Sequence, residues 1–293
     1  MIASDIELLA TCWTSAGDVA PLMPSEESPF NIFDRIQAAA ETGWAGLGIA
    51  QDDIAVIAHT VGFDAVREAI KMAGLRYTEV ELLTHWWTTG DTRAKSDQTR
   101  ELLFTASREL GATQVKIGTE FGAPLESIDL LVSPLRDLAD HAADSGIRLA
   151  LEPLPFAIVS TIPLAGDLIR AVDRPNCGVL VDAWHVFRAG TTVADVRASM
   201  SSEIVFGVEL DDAAPDVVGT LFEDTINERL LCGEGSFDLT GLIRVLAAIG
   251  YTGPWGVEIL SHTHRTLPLR EALTLAHDTA EEVLTAALRD SAS

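Results

Sequence analysis

Four acidic residues close four successive apolar runs. They are Glu152 in LALEP, Asp182 in VLVDAWH, Glu209 in FGVELDD and Glu258 in WGVEIL, spaced 30, 27 and 49 residues apart. An ionised carboxylate among apolar side chains is costly. Several in one place also repel one another and raise one another's pKa. A divalent cation removes both costs, so the pattern points to a metal centre built from oxygen. That donor set suits a hard ion, Mn2+ first and Mg2+ close behind, ahead of Zn2+, which prefers imidazole or thiolate. One position has a competitor. Asp211 lies two residues beyond Glu209 and would share its face of a strand, so either could supply the third ligand.

Other residues could act on a bound molecule. His185 follows Asp182 by three residues and is expected in the loop over the site, where it could bond a substrate oxygen or shuttle a proton. Lys116 interrupts the apolar run QVKIG. Two placements are open for it: the barrel mouth, stabilising an anionic oxygen, or a solvated strand end. His85 ends a third run beside Glu81 and Trp86 and is a candidate for the pocket wall. Trp13 could form an apolar wall, and His262 and His264 could reach the rim.

For these residues to meet, their strands must end side by side. The chain alternates β-like runs with amphipathic helical runs, the mark of parallel α/β architecture. The strands are predicted at 6–10, 45–49, 77–83, 114–117, 148–152, 178–182, 204–210 and 255–260. Helices are predicted at 32–42, 64–73, 96–110, 128–144, 164–172, 193–200, 239–249 and 269–288, several of them stopped by a following Gly. Eight units, with no GxGxxG after the first strand, favour a closed (β/α)8 barrel over an open doubly wound sheet. No linker or composition shift divides the chain, so 1–293 reads as one domain. The longest irregular stretch, 211–237, is of the kind that carries function.

Composition narrows the partners. There are 44 Asp plus Glu against 20 Lys plus Arg, for a net charge of -24. Such a surface repels phosphate backbones and anionic lipid, so nucleic-acid and membrane partners are not expected. No apolar run is long enough to span a bilayer, and the first residues lack the basic start of a signal peptide. Cys12, Cys177 and Cys232 are far apart and odd in number, which fits buried thiols in a reducing cytoplasm. Apolar material suffices for a large core without a stabilising metal, so any metal here has a functional purpose.

At LALEP, VLVDAWHVFRAG and RLLCGEGSFDLTGLIRVLAAIGYTGPWGVEIL, the chain resembles the xylose isomerase-like TIM-barrel superfamily of sugar phosphate isomerases and epimerases. The likeness covers most of the chain and is clearest from about residue 147 onward. It implies metal ligands at Glu152, Asp182, Glu209 and Glu258, although many members carry His or Gln where Glu209 stands. It also implies an acid/base pair in Glu152 and Glu258, substrate contact by His185, and an arginine near the substrate at Arg229. The function expected is a metal-dependent isomerase or epimerase of a sugar, keto-sugar or related polyol. The alternative on the same scaffold is a lyase, a dehydratase of inosose or dehydroshikimate type. A DNA-repair nuclease of this fold would need a histidine-rich zinc site and a basic groove, which the charge disfavours. A non-catalytic barrel and a homo-oligomer are both compatible with the sequence.

Overall fold

The computed structural model describes residues 6–119 and 127–289. Eight parallel strands form β1 (Leu8–Ala10), β2 (Gly46–Ala50), β3 (Tyr77–Leu83), β4 (Gln114–Gly118), β5 (Leu149–Glu152), β6 (Cys177–Asp182), β7 (Val205–Leu210) and β8 (Trp255–Val257). They pair in chain order, and β8 pairs with β1, so the barrel is closed and the open-sheet alternative is excluded. Predicted and observed ends differ mostly by one or two residues, where hydrogen bonding frays.

The strands are buried on both faces, and the two faces differ. Val115, Ile117, Leu149, Leu151, Val179, Val181 and Val208 belong to the apolar core packed between sheet and helices. Because side chains alternate along a strand, Gln114, Lys116, Glu152, Asp182 and Glu209 turn the other way, into the barrel. The interior is therefore polar and layered. Gln114 donates to Glu79 Oε1 at 2.7 Å. A side chain at Gly207 would meet Gln114 Nε2 at 2.7 Å and would have to displace that amide from Glu79.

Five helices among the described residues are not expected from the sequence: Cys12–Ser15, Gln51–His59, Ala183–Arg188, Leu221–Asn227 and His262–Arg265. Leu221–Asn227 interrupts the stretch read as irregular, and it begins with a capping box between Thr220 and Glu223. All five are short and lack a long amphipathic repeat, which hides them in the sequence. Among the described residues no helix is long and apolar enough to cross a membrane.

The single-turn helix after β1, Cys12–Ser15, carries Trp13 and is braced from below. Arg35 is buried, pairs with Asp53, and donates to Ser15 Oγ at 2.9 Å and to the Cys12 carbonyl at 3.2 Å. Asp53 in turn accepts from the Ser28 amide at 2.9 Å. Removing one member of a buried ion pair strands the other charge. Arg35→Leu should cost about 3–5 kcal/mol in urea unfolding. The double variant Arg35→Leu/Asp53→Leu should recover part of that loss. Equal stability of the single variant and the parent would show that the brace does not hold this turn.

Candidate metal centre

The four acids converge. One carboxylate oxygen from each of Glu152, Asp182, Glu209 and Glu258 lies within 4.8 Å of the others. Glu152 and Asp182 end β5 and β6, Glu209 is next to last in β7, and Glu258 follows β8. The Glu258 amide donates to the Leu210 carbonyl at 3.0 Å, which extends the β7–β8 register and fixes its direction. Of the two candidates at the end of β7, Glu209 joins this group. Asp211 is held one layer out by Arg229.

Charge inside the barrel is badly unbalanced. Glu79, Glu81, Glu152, Asp182, Glu209, Asp211 and Glu258 are all buried, against the permanent cations Lys116 and Arg229. Lys116 lies 3.1 Å from both Glu81 oxygens, contacts Glu209 Oε1, and reaches Glu258 at 3.8 Å. It therefore sits wholly inside the barrel. It is neither a solvated strand end nor part of the cavity lining described below, because strand alternation and the facing carboxylates draw it in. Arg229 Nη1 donates to Asp182 Oδ2 at 2.7 Å and lies 3.2 Å from Glu258 Oε2. Its Nη2 donates to Thr225 Oγ1 at 2.9 Å.

Titration follows from these neighbours. Burial pushes the Glu258 carboxyl up to about 8; Arg229 and Lys116 oppose this, and Glu152 and Glu81 add to it. Burial raises Glu209 well above the usual range, with Glu258 reinforcing it against Lys116. Asp211 is likewise raised by burial and by Asp182. At Asp182 burial is outweighed by Arg229 and His185, which hold it below its ordinary value. Burial alone would lower Lys116, but Glu209, Glu81 and Glu258 keep it firmly charged.

The donor set fits a hard divalent cation. Glu209 Oε2 is buried with no hydrogen-bond partner. An oxygen so placed is costly unless something positive faces it. His185 is not in a loop: it lies in the short helix Ala183–Arg188, whose N-terminus Asp182 caps by accepting the His185 amide at 2.9 Å. Its Nε2 lies 3.4 Å from Glu152 Oε1. His185 also forms a second oxygen-and-nitrogen group with Glu152 and Asp182.

A cavity of about 420 Å³ opens over the cluster. Glu152, Glu258, His185, Arg229 and Trp13 line it, whereas Asp182 and Glu209 do not. His85 is outside the lining and stacks on Trp87 with ring centroids 5.8 Å apart. Trp86 is buried and donates to the Gly118 carbonyl. His264 is buried against the Thr14 carbonyl, and His262 is exposed. The walls also contain residues that the sequence did not single out: Glu26, Asp52, Phe156, Phe222 and Thr225. They come from loops and short helices, where no periodicity marks the facing side. Only the Thr220–Glu223 capping box could have flagged the helix that bears Phe222 and Thr225.

The sequence pattern described as xylose isomerase-like TIM barrel matches residues 36–279. The chain belongs to that family. A 3-dehydroshikimate dehydratase of Pseudomonas aeruginosa is 32% identical over 172 residues, covering 58% of this chain and 27% of the relative. An inosose isomerase of Halalkalibacterium halodurans is 30% identical over 155 residues, 52% of this chain and 54% of the relative. The chain thus spans about a quarter to a half of the length of these curated relatives. Among solved structures, the IolI protein with a bound zinc atom superposes with a TM-score of 0.83 at 20% identity, over 96% of this chain and 99% of that one. At that identity the likeness shows the fold.

The raised carboxyls have a consequence for stability. A carboxyl whose folded pKa exceeds its unfolded value stabilises below the unfolded pKa, and that stability is lost as pH rises through the folded one. For Glu258 the window runs from the ordinary carboxyl value of 4.5 to about 8. Metal-free protein should therefore melt several degrees lower at pH 8 than at pH 5. The gain in Tm on adding Mn2+ should grow over the same window, since metal and proton compete. A Tm of the metal-free protein that rises across this range would contradict the assignment.

Proposed function

We propose that the chain is a divalent-metal-dependent enzyme that moves a proton beside the carbonyl of a keto-sugar or related polyol, as an isomerase or epimerase. The convergence of four carboxylates from β5 to β8, with two of them facing a cavity, carries this reading. When bound, the cation supplies Lewis acidity to a carbonyl and its neighbouring hydroxyl, which acidifies the adjacent C–H. Mn2+ is the first choice and Mg2+ the second, and the zinc of the IolI structure makes that ion the third to test.

The protein groups divide the work by position. Asp182 and Glu209, away from the cavity, serve to hold the metal. Glu152 and Glu258 line the cavity, so they are placed both to bind and to exchange protons with substrate carbon. One removes the proton and the other returns it. His185, beside Glu152, is placed to hold a substrate hydroxyl. Arg229 holds Asp182 and Glu258 in place, and Trp13 offers a flat surface to the C–H face of the substrate.

A second reading is favoured by the likeness to two dehydroshikimate dehydratases, 32% identical over 172 residues and 27% identical over 241. The first step, proton removal beside a carbonyl, is common to both. If a β-hydroxyl then leaves, the product is an enone.

Metal-loaded protein incubated with neutral and anionic ketones in D2O should wash deuterium into the product. An ultraviolet enone band would mark the dehydratase instead, and product without deuterium would mark a hydride shift. Glu152→Gln and Glu258→Gln should each lower turnover by about 10²–10⁴-fold. Asp182→Asn should lose metal by elemental analysis. Turnover that survives full chelation would refute metal dependence.

A further inference from the structure

The charge of the cavity wall restricts what can enter it. Glu26, Asp52, Glu81, Glu152 and Glu258 all line the cavity. Among the described residues, Arg229 is the only Lys or Arg that does so. It is almost fully buried, and its guanidinium is already engaged with Asp182, Asp211, Glu258 and Thr225. His185 faces Glu152. Lys116, below, is enclosed by carboxylates.

The other Lys and Arg side chains of the described residues lie outside the cavity lining. Arg93, Arg188 and Arg265 follow β3, β6 and β8, but they pair with Asp97, Asp224 and Asp18 and lie outside the lining. The sequence of residues 120–126, EFGAPLE, contains two Glu and no Lys, Arg or His. The proposed metal is itself surrounded by four carboxylates, so it does not supply the missing positive charge.

A carboxylate or phosphate on a substrate would therefore be desolvated against like charge with no free partner. Such an arrangement selects against one class of molecule as firmly as a good contact selects for another. Hydroxyl groups meet the opposite situation. Each can donate to a carboxylate oxygen, and carboxylates are acceptors only. Trp13, Met23, Phe156 and Phe222 provide apolar wall for the C–H faces of a ring.

Building on the function proposed above, we infer that the cavity takes uncharged polyhydroxy ketones, open keto-sugars or keto-cyclitols. It discriminates against their carboxylated and phosphorylated counterparts. Dehydroshikimate, the carboxylate for which two relatives are named, falls in the disfavoured class.

The test uses the full chain loaded with Mn2+. An inosose, 3-dehydroshikimate, fructose and fructose 6-phosphate are compared by titration calorimetry and by turnover. The neutral ketones should bind and react at least about tenfold better than the anionic ones, measured as Kd and as kcat/KM. Glu26→Gln/Asp52→Asn should narrow that ratio about threefold or more, as should raised salt. An anionic ketone that binds or reacts as well as its neutral counterpart would overturn the inference and leave the proposed reaction standing. Preferential binding of neutral ketones without turnover of any would support the inference and sink the proposed reaction. No binding and no turnover would sink both.

Discussion

Mutual repulsion among carboxylates inside the barrel sets the terms for everything around them. Glu209 and Glu258 are pushed toward the protonated form, while Asp182 stays ionised because Arg229 and His185 face it. The two permanent cations are placed accordingly. Lys116 rises from β4 into the layer of Glu81 and Glu209, and Arg229 reaches in from the far side to Asp182, Asp211 and Glu258. A carboxylate at Glu209 adds a negative charge that a neutral side chain would not. Lys116 rests against it and balances that charge whenever it is ionised. One Glu209 oxygen goes to the lysine, and the other is left without a partner. A residue that looked like an interruption of an apolar strand is thus the counterweight that makes Glu209 tolerable.

Closure of the sheet is what turns separate strand ends into a site. Sequential parallel strands place equivalent positions side by side, about 4.8 Å apart. Acids that end β5, β6, β7 and β8 must then meet. This is why the barrel and its four acids could be read from the sequence: each acid followed an apolar run, and the runs recurred with the rhythm of βα units. The alternation that sends Val179 and Val181 to the helices sends Asp182 inward.

What the sequence hid lies where that rhythm stops. Lys116 carried the right signal, a charge in an apolar strand, but the signal does not say whether the charge meets water or a carboxylate. Only the neighbouring strands decide that, through Glu81 on β3 and Glu209 on β7. Six residues, Ala183–Arg188, are too few to show a helical repeat, so the sequence alone suggests a loop at His185; Asp182 starts that helix while also facing the site. Glu26, Asp52, Phe156 and Phe222 come from connecting segments, whose inward side depends on packing rather than on period. Their contribution to the cavity is a tertiary fact.

The two kinds of knowledge separate two questions about the chemistry. The inward acids of the strands bear on which bond would be activated, since Glu152, Asp182, Glu209 and Glu258 would hold a metal whatever the substrate. Enzymes named as isomerases and as dehydratases can share that first step, which is why the family alone leaves the outcome open. The loops bear on which molecule could enter the cavity above that cluster. Their walls offer acceptors and apolar surface but no unengaged cation among the described residues. Strand positions are tied by register to their neighbours, so a change there disturbs several ligands at once. The loop positions have no such tie, and a change of charge at Glu26 or Asp52 can redirect recognition while the carboxylate cluster below stays as it is.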